Sequence, residues 1–293
     1  MRSRVGGTGR VTVDDCRLAY RRAGTDGSPI VLLHGGGIDD SQLSWHETIP
    51  RLARTHQVYA IDWPGYGDSR GHIDHTIPAY VDLLESVFDA LDLEEATLVG
   101  LSMGGATAWG YALEQPDRVA KLALVGSYGL GPRVPVGSVW KTLAMIPGMN
   151  HLGWAALGST RESALLGLSS VVATPSSLSD EFLEDFRTRA KRAGSGQAFE
   201  AFQRNEISIR GTARTDFTGE LSTLEAPTLL VHGEEDPLFP VAWSRRAAST
   251  IPEAELAVFD NCGHWVPIEE PVQFNDRLGT FLESGCWFES KSD

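Results

Sequence analysis

The chain has 293 residues, with 39 Asp and Glu against 25 Lys and Arg, a formal net charge of −14, and 42% apolar residues. That length suits one or two domains with a large core, and the acidic balance excludes nucleic acid and anionic membrane surfaces as expected partners. The three cysteines, Cys16, Cys262 and Cys286, are odd in number and match no metal or redox spacing, as for free thiols in a reducing compartment.

No apolar run reaches the ~18 residues of a membrane span. The N-terminus "MRSRVGGTGR" is basic but has no apolar centre of a secretory leader. The expectation is a cytoplasmic protein, with its oligomeric state open.

In chain order, "VTVDDCRLAYRR" reads as a hairpin around Asp14-Asp15, an antiparallel edge to a sheet. Next come short continuous apolar runs, "IVLL" (30–33), "VYAI" (58–61), "TLVG" (97–100), "LALV" (122–125), "TLLV" (228–231) and "LAVF" (256–259). Continuity rather than alternation marks strands buried on both faces of a parallel sheet. Helical spacing lies between most of them. In "IPAYVDLLESVFDALDL", Tyr80, Leu84, Val87 and Leu91 share a face, Thr76 can cap the start and Pro78 suits the first turn. Such alternation implies right-handed crossovers with helices on both faces.

The rhythm breaks between Ser127 and Ala226, where about a hundred residues hold no clear strand, too long for a simple loop. One helix is predicted there from Leu178 to Ala193, capped by Ser179 and ended by Gly194. The predicted division is a core of residues 1–127 and 216–293 and an inserted helical cap of residues 128–215.

Residues 100–104, "GLSMG", match G-x-S-x-G between a predicted strand and a predicted helix. A serine on so sharp a turn needs small neighbours and presents its hydroxyl over a helix N-terminus. Ser102 needs a base, and His264 in "NCGHWVPIEEP" follows the last strand. The base needs a carboxylate, and Asp236 in "HGEEDPLFP" follows "TLLV", with Glu234 and Glu235 as substitutes. The stretch "GSYGLG" after "LALV" offers no acid. The glycine loop "LLHGGG" can aim backbone N–H groups at a reacting oxygen. The oxyanion hole is predicted from Met103 and Gly36, with Gly37 as the alternative donor.

Asp62 in "DWPGYGDS" reads as a structural turn residue, and His34 and His232 as scaffold rather than metal ligands. Trp140, Met145, Met149 and Trp154 in the insertion, with Trp265 beside the histidine, are candidates for the substrate pocket.

"HGGG", "DWPGYGDS", "GLSMGG", "HGEEDP" and "GHWVPIEEP" stand in the order found in the α/β-hydrolase superfamily, which the chain resembles along nearly its whole length. The resemblance implies a mostly parallel central sheet, helices on both faces and a lid at residues 128–215. "HGGG" with "GHW" also resembles hydrolases that cleave carbon–carbon bonds in ring-fission products. Those commonly carry Asn before the nucleophile, where this chain has Leu101, and an arginine in the cap, for which Arg187 is the positional candidate. Epoxide hydrolases and haloalkane dehalogenases share the fold but use an aspartate nucleophile, which Ser102 argues against.

The main expectation is a serine hydrolase of small-molecule carboxylic esters that needs no metal or organic cofactor. The alternatives are carbon–carbon hydrolysis of a dienoic keto acid, or a ligand-binding protein on a hydrolase fold.

Overall fold

The computed structural model describes residues 6–284. Cys16 and Cys262 are buried free thiols, and Cys286 lies outside the described residues. The strands are β1 (Thr8–Val13), β2 (Cys16–Ala23), β3 (Pro29–Leu33), β4 (Gln57–Ile61), β5 (Ala96–Leu101), β6 (Val119–Val125), β7 (Thr228–Gly233) and β8 (Ala254–Phe259). They form one eight-stranded sheet in the order β1-β2-β4-β3-β5-β6-β7-β8. β1, β2 and β4 pair antiparallel, and the strands from β4 onward pair parallel.

The hairpin turns at Asp14-Asp15, with Asp14 at φ 49°, a conformation that Asp tolerates better than most residues. Strands β5 and β7 are buried at every position, as their unbroken apolar runs require.

The helices of the two flanking layers are α1 (Ser41–Trp45), α2 (Ile49–Leu52), α3 (Ile77–Ala90) and α4 (Met103–Glu114). Between β6 and β7 lie α5 (Gly137–Ala144), α6 (Met149–Leu157), α7 (Arg161–Leu168), α8 (Asp180–Ala190) and α9 (Gln197–Glu206). α10 (Val241–Thr250), α11 (Val266–Glu269) and α12 (Pro271–Glu283) complete the chain. No helix of the described residues is long and apolar enough to cross a membrane.

The sequence signals explain the ends of several helices. Thr76 accepts the Ala79 N–H and caps α3, while Pro78 sits in the first turn. Ser179 accepts the Phe182 N–H and caps α8. α8 ends at Ala190, short of the predicted Ala193. Gly194 and Gly196, both at positive φ, act in the turn that leads into α9 rather than at the helix end.

Each face of the sheet carries its own core. Trp63, Tyr80, Phe88, Trp109 and Tyr111 pack on one face. Trp45, Phe182, Phe274 and Phe281 pack on the other. Truncating one such aromatic ring would cost about 3–5 kcal/mol.

The α5–α9 segment is tied to the sheet by buried polar contacts. Glu206, on the last turn of α9, accepts the Ile77 N–H at the start of α3 and the Tyr128 hydroxyl that follows β6. Arg189 of α8 pairs with Asp40, the N-cap of α1. Phe217 returns the chain to the core by stacking on Trp109.

The chain leaves β3 toward β4 on one side and reaches β5 on the other. The strand ends at such a reversal open a crevice, which is where ligands gather in sheets of this kind.

Candidate active site

Ser102 stands in that crevice, between β5 and α4, with φ 55° and ψ −115°. Left-handed backbone is costly for a residue with a Cβ, and its neighbours hold it there. The Ser102 N–H donates to the Val125 carbonyl at 2.8 Å, and its carbonyl accepts the Ala106 and Tyr128 N–H groups. The flanking glycines permit the turn. A Cβ on Gly100 would fall 2.3 Å from the Gly104 carbonyl oxygen, and one on Gly104 would fall 2.3 Å from that of Leu33.

Loops after β7 and β8 bring Asp236 and His264 to the same crevice. His264 Nδ1 is 2.8 Å from Asp236 Oδ2. Asp236 Oδ1 accepts the Leu238 and Phe239 N–H groups, so the carboxylate is fixed in its loop. Burial alone would raise the Asp236 pKa, but His264 and then His232 outweigh it and hold the carboxyl well below the usual range. The backbone N–H of His264 donates to the Val171 carbonyl in the segment after α7, and its ring meets Phe239 edge-on. With Nδ1 engaged by Asp236, His264 Nε2 is buried without a hydrogen-bond partner and lies on the cavity that Ser102 also lines.

The glycine loop after β3 forms the facing wall. Among the described residues, neither the Met103 nor the Gly36 N–H donates to a protein acceptor, and both residues line the cavity. Gly37 lines it too, at φ 77°. The loop is held by Asp39, whose Oδ2 accepts the Gly35 N–H at 2.8 Å and the Ser44 hydroxyl at 2.6 Å. Ser44 in turn accepts the Trp265 indole N–H at 2.9 Å. A buried chain of hydrogen bonds thus joins the residue after His264 to the glycine loop. Burial pushes the Asp39 carboxyl up to about 6, against the lowering effect of His34 and the Ser44 bond.

The residues read as scaffold have local partners. Asp62 accepts the Ser41 and Asp68 N–H groups. His34 accepts the Trp63 N–H at Nε2. His232 bonds Ser244 through Nδ1 and the Phe239 carbonyl through Nε2, which also lies 3.2 Å from Asp236. His232 therefore has a further part in fixing the carboxylate that its sequence position did not reveal.

The cavity holds about 450 Å³, and its walls come from the sheet loops and from α5–α9. Trp140, Met149, Trp154 and Trp265 line it. Two candidate pocket residues do not. Met145 follows α5 and is 60% exposed on the outer surface. Arg187 turns away, its guanidinium bonded to the Gly158 and Ser159 carbonyls and to Glu184. Among the described residues, no lysine or arginine lines the cavity.

The structure adds lining residues that motif reading missed. Phe199 of α9 packs directly on Gly36, where a Cβ would fall 2.6 Å from its ring. Asp39 sits four residues after Gly35, and an Asp there could have been read as a turn residue returning to the loop N–H. Phe199 lies on an amphipathic helix, and periodicity does not say what that helix faces.

Comparison with known proteins agrees with the architecture. A family model described as alpha/beta hydrolase fold matches residues 28–271. The 2-hydroxymuconate semialdehyde hydrolase of Pseudomonas sp. (strain CF600) is 31% identical over 264 residues, covering 87% of this chain and 87% of the relative. The 2-hydroxy-6-oxo-2,4-heptadienoate hydrolase of Pseudomonas putida F1 is 30% identical over 261 residues, covering 87% of this chain and 89% of the relative. A solved structure of a meta-cleavage product hydrolase from Pseudomonas fluorescens IP01, with acetates bound, superposes with a TM-score of 0.76 at 26% identity, covering 95% of this chain and 97% of that one.

Proposed function

The chain belongs to the α/β-hydrolase family and is a hydrolase, and on that premise we propose that it cleaves the carbon–carbon bond beside the ketone of a 2-hydroxy-6-oxo-dienoate. The observation that carries this reading is the match, along most of both lengths, to relatives named for such substrates. It moves the main expectation from esters to the alternative drawn from "HGGG" and "GHW".

In this reading Ser102 is the nucleophile, His264 the base and Asp236 its orienting carboxylate. The substrate first ketonises, its 2-hydroxyl proton leaving and C5 gaining one. Ser102 Oγ then adds to the C6 carbonyl carbon as His264 Nε2 takes the hydroxyl proton. The carbonyl electrons move to oxygen, where the Met103 and Gly36 N–H groups stabilise the charge. Collapse breaks the C5–C6 bond. The electron pair passes to C5 and is delocalised onto the 2-oxo group, and the product dienol carries the proton His264 returns. Water, deprotonated by His264, then releases the acid from Ser102. Residues 128–215 act as a cap that closes the cavity and keeps bulk water from the acyl-enzyme.

The second reading is ester hydrolysis by the same residues, with an alkoxide leaving in place of the dienolate. The cavity wall favours it: Arg187, the residue read as a carboxylate anchor, points elsewhere, and among the described residues no lysine or arginine takes its place in the cavity lining.

Initial rates on 2-hydroxy-6-oxo-2,4-heptadienoate beside p-nitrophenyl esters from acetate to long acyl chains separate the two. A higher kcat/KM on the dienoate is expected, and turnover of esters alone would overturn the carbon–carbon reading.

A further inference from the structure

Two helices of the α5–α9 segment reach the glycine loop in the same way. On α6, Trp154 lies over Gly37, and on α9, Phe199 lies on Gly36. One turn before Trp154 on α6 is Asn150, and one turn after Phe199 on α9 is Gln203. The two amides meet, Asn150 Nδ2 donating to Gln203 Oε1 at 2.8 Å. Along each helix the amide residue thus stands one turn, ~5.4 Å of helix rise, from the aromatic residue that packs on the glycine loop.

Both amides line the cavity, and Gln203 is only 4% exposed. The bond between them uses one donor and one acceptor. The Gln203 Nε2 hydrogens and Asn150 Oδ1 have no protein partner among the described residues. Reversing both amides leaves the same result, one donor and one acceptor side by side. The other side chains on the α5–α9 wall are apolar, aromatic, or, as with Ser170, already bonded to backbone. Neither free atom is among the buried unpaired ones, so both stay open to the cavity and to the polar group of a ligand.

We propose that Asn150 and Gln203 form the subsite that receives the polar end of the substrate, a group offering one acceptor and one donor within a single plane. This rests on the hydrolase reading above and deepens it. In a 2-hydroxy-6-oxo-dienoate, the carbon bearing the 2-hydroxyl and the carboxylate carbon stand four and five bonds from the attacked C6 carbon, a span comparable to one helical turn. The carboxylate accepts from Gln203 Nε2, and in the enol form that binds the 2-hydroxyl donates to Asn150 Oδ1, a bond given up when the substrate ketonises. Two neutral amides thereby hold the end of the substrate without an arginine.

The test compares two matched esters that carry the group on the leaving side of the scissile bond, 3-carbamoylpropyl acetate and butyl acetate, on wild type, Gln203→Leu and Asn150→Leu. The carbamoyl carbon lies five bonds from the ester carbonyl carbon, as the carboxylate carbon does from C6. The ratio of kcat/KM, carbamoylpropyl over butyl ester, is expected to fall roughly tenfold in each variant, the worth of one or two hydrogen bonds. A merely structural role would lower both esters together and leave the ratio unchanged, which overturns the subsite. The same variants are run on 2-hydroxy-6-oxo-2,4-heptadienoate, whose kcat/KM is expected to fall roughly tenfold further than that of butyl acetate. If wild type fails on the dienoate but the ester ratio still falls in the variants, the carbon–carbon reading fails and the subsite stands.

Discussion

Arg189 Nε of α8 donates to Asp40 Oδ2 at 2.5 Å, and both side chains are buried where the α5–α9 segment meets the sheet. Burial opposes the Asp40 charge, but the Arg189 bond and charge outweigh it and hold the carboxyl below its usual range. The same carboxylate caps α1 through its other oxygen. Arg189→Met should therefore leave the buried Asp40 carboxylate with only the exposed Arg192 guanidinium, 3.9 Å away, and cost about 3 kcal/mol, read as a lower denaturation midpoint near neutral pH. Because the Asp40 pKa is depressed, the pair stabilises above ~4 and is lost as pH falls through the lower folded value. The gap between wild type and variant should narrow in acid, and an equal gap at all pH values would contradict this.

Asp39 carries the opposite sign. Its folded pKa of about 6 exceeds the unfolded value, so the native state favours the neutral acid. That contribution is complete below ~4 and is lost as pH rises through about 6, a change of about 3 kcal/mol. Asp39→Asn should abolish this component. Urea midpoints of wild type and variant, taken between pH 4 and pH 7, should diverge with pH, and parallel curves would refute the assignment.

Gly36 and Phe199 are coupled by contact. Gly36→Ala would place a methyl group within 2.6 Å of the Phe199 ring, so the loop or α9 must move. The expected loss is about 1–3 kcal/mol, or roughly 5- to 150-fold if it falls on kcat/KM. Phe199→Ala in the same chain should return part of it. A double-mutant cycle measures the coupling, and strictly additive losses would show that the two residues act apart.

Asp236→Asn should lower kcat far more than it raises KM, because the carboxylate bonded to Nδ1 sets the tautomer and orientation of the His264 ring. A fall of about three orders of magnitude or more in kcat is expected. A variant within tenfold of wild type would remove Asp236 from the mechanism.

The reading of Ser102, Asp236 and His264 needed only local signals. Buried strands leave continuous apolar runs, and Gly, Pro and Asp mark the loops at their ends. Chain order then put the three residues at the C-terminal ends of the strands. Arg187 and Met145 show where this stops. A helical pattern gives a face, and tertiary packing decides what the face meets. Arg187 met carbonyls in the turn between α6 and α7, while Arg189, two residues on, met Asp40. The amides Asn150 and Gln203 are ordinary polar residues in sequence and become a pair only because α6 and α9 run side by side. The preference for a dienoate over esters came from the relatives, since the motifs that carry the triad are common to both chemistries.

Ser102→Ala, shown to be folded by its circular dichroism and denaturation midpoint, tests the central claim most directly. Its turnover of 2-hydroxy-6-oxo-2,4-heptadienoate and of the best p-nitrophenyl ester should fall by about three or more orders of magnitude, with substrate still bound. A variant that keeps most of its activity on either substrate would contradict a mechanism in which Ser102 attacks the carbonyl.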